Sequence, residues 1–342
     1  MCPAPTAKAR NVVYFANAAA AAAAGFRPCL RCRPEAAPGS PLHRAGDELV
    51  AGALRLIEDG VLDQGSVGTL AQRVGVGERH LRRLFAEALG ASPLDVAATR
   101  RLLFAKQLIG ETALPMTTIA LASGYASLRR FNAVVRAAYG FAPRELRRSQ
   151  TLAAAPGELA LRLPYRPPYD FAALLDFFAR RAIPGVETTD ADGYRRGFVL
   201  GGTPGWFGVR ALPDAHALEL RVHHAHPAAL LEIATRVRRM FDVNADPAAI
   251  AERLSRSALL RPLLRRFPGV RVPGCWDGFE IAVRAVLGQQ VSVAAARTLA
   301  ARLVDRHGTR FDAPPAAGLH ALFPTSAALA DADLTRIGLT RA

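Results

Sequence analysis

The sequence predicts a multidomain protein, mainly α with one α+β domain, and three features lead to that expectation. Apolar residues recur at helical spacing from about residue 45 to 149, as in Leu81, Leu84, Phe85, Ala88 and Leu89. Strand-like alternation begins only after residue 157, and Pro, Gly and Ser break the chain at 36–41 and 153–157. With 342 residues, 51% of them hydrophobic, the chain can fill two to four cores. The segments expected are 1–40, 45–150, 157–245 and 246–342.

Charge narrows the class of partner. A net charge of +15 and a pI near 10.9 favour a polyanion, which such a field attracts without specifying a fold. Lys8 and Lys106 are the only lysines among 44 basic residues. Arginine suits bidentate phosphate and guanine contacts, although the same skew, with abundant Ala, Gly and Pro, also follows from GC-rich coding. No run of 18 apolar residues is present, and Ala18 to Ala24 is too short to span a bilayer, so a soluble, cytoplasmic, nucleoid-associated protein without a membrane partner is expected.

In the first segment, Cys29 and Cys32 form a Cys-x-x-Cys pair in a basic stretch, with Cys2 upstream. Two thiolates on one tight turn can share a tetrahedral metal, usually Zn²⁺; a redox pair is the rival reading. The segment resembles the zinc module of the Ada family of alkylation-response proteins. By that resemblance Cys2, Cys29 and Cys32 are three of four zinc ligands, and the methyl-accepting cysteine is expected ahead of Met1, as in a longer reading frame or a fragment. A partial site of this kind is expected to hold one Zn²⁺ weakly. In the family, four thiolates around the dication leave a charge of about −2, and methylating one leaves about −1, so repulsion from DNA phosphates falls.

The second segment is helical and contains the same design twice. Thr69 to Phe85 has small Ala71 where two helices cross, Gly75 to end the first, and a second helix whose basic residues lie opposite a Leu/Phe stripe. Thr117 to Asn132 repeats it, followed by Tyr139-Gly140-Phe141-Ala142-Pro143 and a basic helix expected from Arg144 to Arg148. From Thr69 to Ser149 there are 13 basic against 5 acidic residues, a net +8. The pair of units resembles the helix-turn-helix domain of AraC-type activators. This implies that Arg79, His80, Arg82 and Arg83 face one major groove of promoter DNA and Arg129, Arg130, Asn132 and Arg136 the next, with RNA polymerase as a further partner. For any single residue the alternative is a solvated surface charge.

In the third segment, Leu159 to Leu163, Phe198 to Leu200, Trp206 to Val209 and Leu218 to Val222 read as short strands. Helices are expected from Pro227 onward, including 228–241, 279–287 and 291–307. Tyr165-Arg166-Pro167-Pro168-Tyr169-Asp170, Pro273-Gly274-Cys275-Trp276-Asp277-Gly278-Phe279-Glu280 and Leu287-Gly288-Gln289-Gln290-Val291-Ser292 resemble the AlkA type of DNA-3-methyladenine glycosylase. The resemblance implies that family's small α+β N-terminal domain, then the start of its helix-hairpin-helix domain. Gln290 falls at the position that fills the gap left by an extruded base, beside Gln289. Phe177 and Arg181 align near the base pocket, while a core aromatic and a surface arginine are the plain readings. The family's catalytic aspartate and Gly-rich hairpin are expected beyond Ala342. Asp277 and Glu280 belong to the entry helix, and Asp331 and Asp333 to a surface turn, so none of the four inherits that role and residues 1–342 are expected to be inactive. His223-His224-x-His226 lacks a Cys or carboxylate frame for metal, and Cys275 reads as a small buried or loop residue.

Together these readings give an alkylated-DNA response and base-excision repair protein: a glycosylase fused to a methyl-phosphotriester sensor and a transcription activator, acting on promoter and alkylated double-stranded DNA. The alternative is a transcription regulator whose glycosylase-like region is a non-catalytic scaffold.

Overall fold

The computed structural model describes residues 12–15, 18–26, 48–147 and 157–338. The chain divides into two compact units, Met1–Leu152 with Leu230–Thr235 and Ala153–Ala229 with Arg236–Ala342. No helix among the described residues is long and apolar enough to cross a membrane.

All regular structure described between 18 and 147 is helical: α1 (Ala18–Ala23), α2 (Glu48–Glu58), α3 (Val61–Gln64), α4 (Val67–Arg73), α5 (Glu78–Leu89), α6 (Pro93–Glu111), α7 (Met116–Ala122) and α8 (Leu128–Tyr139). The helix expected from Arg144 is a turn as far as it is described, closed by the Glu145 amide on the Ala142 carbonyl at 3.0 Å. Val50, Ala53, Leu54 and Ile57 recur at helical spacing on α2 and are buried. They share one core with Leu70 and Ala71 of α4 and Leu81, Phe85 and Leu89 of α5. The long helix α6 starts from a capping box: the Ser92 side chain accepts from the Asp95 amide and the Asp95 carboxylate accepts from the Ser92 amide, with Pro93 in the first turn.

Helices α4 and α7 end in the same way, which gives the two helix-turn-helix motifs a common design. The Val76 amide donates to the Ala71 carbonyl at 3.0 Å, and the Tyr125 amide to the Ala120 carbonyl at 2.9 Å, each reaching back across a left-handed residue. Those residues are Gly75, φ 77°, and Gly124, φ 76°. A side chain there costs conformational energy, so glycine terminates the helix and sets the turn.

The second unit holds a five-stranded antiparallel sheet in the order β1-β5-β4-β3-β2. Its strands are β1 (Leu159–Pro164), β2 (Glu187–Asp190), β3 (Gly193–Leu200), β4 (Thr203–Leu212) and β5 (Ala217–His224). The four strands expected from the sequence are present and longer than expected. Their ends contain glycines and arginines that hide the alternation, and β2 is too short and polar to announce itself. Tyr194, Arg196 and Phe198 lie on one face of β3, as a two-residue period requires, and all three are buried.

Helix α9 (Phe171–Arg181) packs on that face, where the Phe178 ring lies 5.2 Å from the Tyr194 ring. The remaining helices are α10 (Leu230–Met240), α11 (Pro247–Leu254), α12 (Leu260–Arg266), α13 (Gly278–Leu287), α14 (Val293–His307) and α15 (Ser326–Ala330). A two-stranded ribbon pairs β6 (Thr309–Arg310) with β7 (Ala321–Leu322). Leu287, Ala300, Leu303, Val304 and Ile337 form a core with Ile183 and Val186, which joins the helical region to the sheet layer.

Candidate nucleic-acid interface and cleft

Helices α5 and α8 each separate a buried stripe from a basic face. On α5, Leu81, Phe85 and Leu89 are buried while Arg79, His80, Arg82 and Arg83 are exposed. On α8, Phe131, Val135 and Tyr139 are buried while Arg129, Arg130, Asn132 and Arg136 are exposed. The eight residues singled out for DNA therefore stand on two solvent-facing helix surfaces, each attached to its core by aromatic and aliphatic anchors. Ser127 caps α8 by accepting from the Arg130 amide at 3.2 Å.

The two faces differ electrostatically. On α5, Arg82 pairs with Glu78 at 2.7 Å, Arg83 lies 3.9 Å from Glu87, and an Arg83 nitrogen meets the His80 Nδ1 at 3.2 Å. These exposed pairs hold little energy and yield readily to a phosphate or a guanine edge. Helix α8 has no acidic residue, and none of its arginines is ion-paired among the described residues.

In the second unit a cleft of about 440 Å³ opens between α9, the loop Pro273 to Trp276, and helices α13 and α14. Phe177 and Arg181, one turn apart on α9, both line it. The Arg181 guanidinium carbon stands 3.8 Å from the Phe177 ring centroid, and both side chains are partly exposed. Trp276 closes another wall, buried against Phe198 at 4.6 Å and Phe207 at 5.1 Å. Gly274 lets the loop approach α10, because a Cβ there would stand 2.7 Å from the Arg239 carbonyl oxygen. Cys275 lines the cleft as a half-buried loop residue; burial first, then Glu280, raises its thiol pKa.

Gln289 and Gln290 form the turn between α13 and α14 and are exposed, while Gly288 and Val291 on either side of them line the cleft. Gln290 has φ 57°, a left-handed backbone that a side chain with a Cβ seldom adopts. Ser292 fixes the following helix by accepting from the Ala295 amide at 3.2 Å. The turn is thus held in one strained shape with its longest side chain outward, a combination that recurs at functional sites.

A buried charge network lines the cleft, and of its members only Glu280 falls in a motif of the sequence. Glu187 on β2 is the cross-strand neighbour of Arg196 on β3, and their side chains pair at 3.2 Å with both buried. Arg196 also pairs with Glu280 of α13, and Arg284 donates to Glu187 and Glu280 at 3.0 Å each. Glu187 also accepts from the Tyr194 hydroxyl at 2.6 Å and from the Ile183 amide at 2.9 Å. Burial pushes the Glu187 carboxyl upward, but Arg196, Arg284, Tyr194 and the Ile183 amide outweigh it and hold the group below its ordinary value. Two carboxylates against two guanidiniums leave the cluster neutral, as a dry interior requires. Only local signals point to it: in Arg195-Arg196 the strand period sends one arginine out to Asp190 and the other inward, and Glu280 and Arg284 sit four apart on one helix face.

This network also fixes the rim of the cleft. Arg284 donates to the Arg181 carbonyl at 2.5 Å and Arg297 to the Ala182 carbonyl at 2.7 Å. Both are carbonyls at the C-terminal end of α9, where the helix dipole favours cations. Asp277 caps α13 by accepting from the Glu280 amide at 3.0 Å, so it is structural. Asp331 and Asp333 are exposed beside α15, and Asp333 caps the 3-10 turn Leu334–Ile337. His224 stacks on Phe198 with centroids 5.8 Å apart. Cys2, Cys29 and Cys32 lie outside the described residues, and among the described residues no cluster of His, Cys, Asp or Glu could hold a metal.

Three family models match the chain: the metal binding domain of Ada over residues 1–35, a helix-turn-helix domain over 70–149, and the AlkA N-terminal domain over 160–277. The probable bifunctional transcriptional activator/DNA repair enzyme AlkA of Mycobacterium tuberculosis is 39% identical over 346 residues, covering 100% of this chain and 69% of that protein. DNA-3-methyladenine glycosylase 2 of Escherichia coli is 38% identical over 173 residues, 50% of this chain and 57% of that protein. The bifunctional transcriptional activator/DNA repair enzyme Ada of E. coli is 40% identical over 92 residues, 27% of this chain and 25% of that protein.

Proposed function

Since the chain belongs to the family of bifunctional transcriptional activator/DNA repair enzymes AlkA, we propose that it recognises DNA twice, as promoter through α5 and α8 and as alkylated duplex through the cleft of its second unit. The observation that carries the proposal is the joint placement of Phe177, Arg181 and the turn around Gln290 about one cleft. Chemistry on a base requires its extrusion from the stack, and an extruded base needs both a receiving pocket and a plug for the gap. Phe177 and Trp276 offer flat apolar walls of the right size to receive a base, and Gln290 projects from a turn rigid enough to fill the gap.

The sugar cation that forms when an alkylated purine leaves needs a free carboxylate beside it. Glu187 and Glu280 are the carboxylates of this cleft, and both are engaged by guanidiniums. We assign them to holding the cleft together, and none of the described residues lining it to stabilising the cation. Residues 1–342 on this reading bind a lesion without releasing it.

Zinc belongs to the first segment in this scheme. Three thiolates at Cys2, Cys29 and Cys32 are soft donors of the type zinc prefers, within the stretch that matches the Ada metal-binding model. Cys2, Cys29 and Cys32 would hold the ion as thiolates, whose negative charge it would partly offset. Metal analysis of the purified protein should find zinc, and Cys29→Ser with Cys32→Ser should remove it while promoter binding by α5 and α8 persists.

The central test compares affinity for an alkylated or abasic duplex with affinity for the same duplex undamaged. Preference for the damaged duplex that disappears in Phe177→Ala supports the reading. Equal affinity for both would make the second unit a scaffold for the regulator, and release of 3-methyladenine by residues 1–342 would show that a catalytic group in the chain has been missed.

A further inference from the structure

Helices α11 and α12 with their connecting turn present a basic face that neither the promoter helices nor the cleft accounts for. Between Pro247 and Val270 there are five arginines and one glutamate. All five arginines, Arg253, Arg256, Arg261, Arg265 and Arg266, are exposed. Only Arg256 is ion-paired, to Glu252 at 3.5 Å; the other four meet no carboxylate among the described residues. On the sheet of the same unit the pattern is reversed, since Arg195 pairs with Asp190, and Arg210 and Arg221 pair with Glu219.

The start of α11 is anchored by side chains. Asp246 caps α11 by accepting from the Ala248 and Ala249 amides at 3.1 Å each, and Arg166 pairs with the same carboxylate. Below it the buried Arg271 donates to the carbonyls of Ala245 at 3.2 Å, Arg166 at 2.5 Å and Pro168 at 2.9 Å, tying the base of α11 to the chain that follows β1. Guanidiniums without carboxylate partners repel one another in the free protein, and a polyanion removes that repulsion.

We propose that the α11–α12 face is a third DNA-binding surface, one that grips the phosphate backbone without reading sequence. Duplex DNA presents one negative charge per roughly 1.7 Å of helix axis, so several arginines within two short helices can be neutralised by one stretch of backbone. Exposed Leu254, Leu259, Leu260 and Leu263 lie between the arginines and Phe267 follows them, and an acidic protein is therefore the competing occupant. The density of arginine without carboxylate partners favours DNA. This surface does not depend on the glycosylase reading, because undamaged DNA reveals it.

The test measures binding of the whole chain to an undamaged random-sequence duplex over a range of salt concentrations. Replacing Arg253, Arg261, Arg265 and Arg266 with glutamine should reduce the slope of log affinity against log salt by roughly 0.9 for each phosphate that these residues neutralise, about 2 to 4 in total. The corresponding lysine variant should keep most of the slope. The reduction should persist when Arg83→Ala and Arg130→Ala are also present, which separates this face from the promoter helices. If the glutamine variant fails to fold, Arg261→Gln and Arg265→Gln made singly should each lower the slope by about one. An unchanged slope in a folded variant overturns the proposal, and points to the protein occupant if the same variant also loses an acidic partner.

Discussion

Arg181 and Phe177 stand one turn apart on α9, with the guanidinium carbon 3.8 Å from the ring centroid, on the wall of the cleft. The pair is held from below, because Arg284 takes the Arg181 carbonyl while also pairing with Glu187 and Glu280. The wall that would receive a base is thus anchored to buried charges of the unit.

Phe177→Ala should weaken binding of an alkylated or abasic duplex by about 1–3 kcal/mol, the usual worth of stacking a base on an aromatic ring. Arg181→Ala should act in the same direction with a smaller effect. Neither should change affinity for the undamaged duplex, and fluorescence anisotropy on the two DNAs checks this. Equal weakening on both would remove Phe177 from the cleft's recognition surface.

Arg196→Met leaves the buried Glu187 and Glu280 with Arg284 as the one cation they still share. Breaking a buried pair from one side costs about 3–5 kcal/mol, so the second unit should unfold at markedly lower urea concentration. Adding Glu280→Gln should recover part of that stability, since it removes one of the stranded charges. A simple sum of the two single effects would show that the residues do not act as a network.

The pH dependence follows from Glu187. Its folded pKa lies below the ordinary 4.5, so the stability it contributes is complete above about pH 4.5 and is lost as pH falls through the lowered folded value. Urea midpoints measured downward from pH 6 should therefore fall below that point. Glu187→Gln should be less stable at neutral pH and show a flatter acid limb.

On the promoter helices, Arg83→Ala and Arg130→Ala should each cost roughly 1–3 kcal/mol on a preferred promoter, and much less on random DNA, if they read base edges. Arg83 must first leave Glu87 and His80, whereas Arg130 has no ion partner among the described residues. Uniform weakening on the two DNAs would assign both to the phosphate backbone.

Gln290→Gly separates backbone strain from side-chain function. Glycine accepts φ near 57° freely, so stability should stay within about 1 kcal/mol of the parent, the relieved strain offsetting the added freedom of the unfolded chain. Binding of the damaged duplex should nevertheless fall, because nothing remains to fill the gap. Unaltered damaged-DNA binding would assign Gln290 to the turn alone.

Elements whose physics is local were legible in the amino-acid sequence. Ala71, Gly75 and the Leu81/Phe85 stripe, repeated as Ala120, Gly124 and Phe131, specify helix, left-handed stop and second helix within a few residues, and these elements formed where expected. Helices α13 and α14 and the turn at Gly288 were legible for the same reason. Which charges become interior is settled only by tertiary packing. Glu187, Arg196, Glu280 and Arg284 are separated along the chain, and each looks like an ordinary surface charge until the β2–β3 register and the packing of α13 bring them together. Likewise the helix alone brings Phe177 and Arg181 together, but that they line a cleft depends on α13 and α14, far along the chain. Burial and long-range pairing depend on what folds over a residue, and that information is spread along the whole chain rather than held in any one stretch of it.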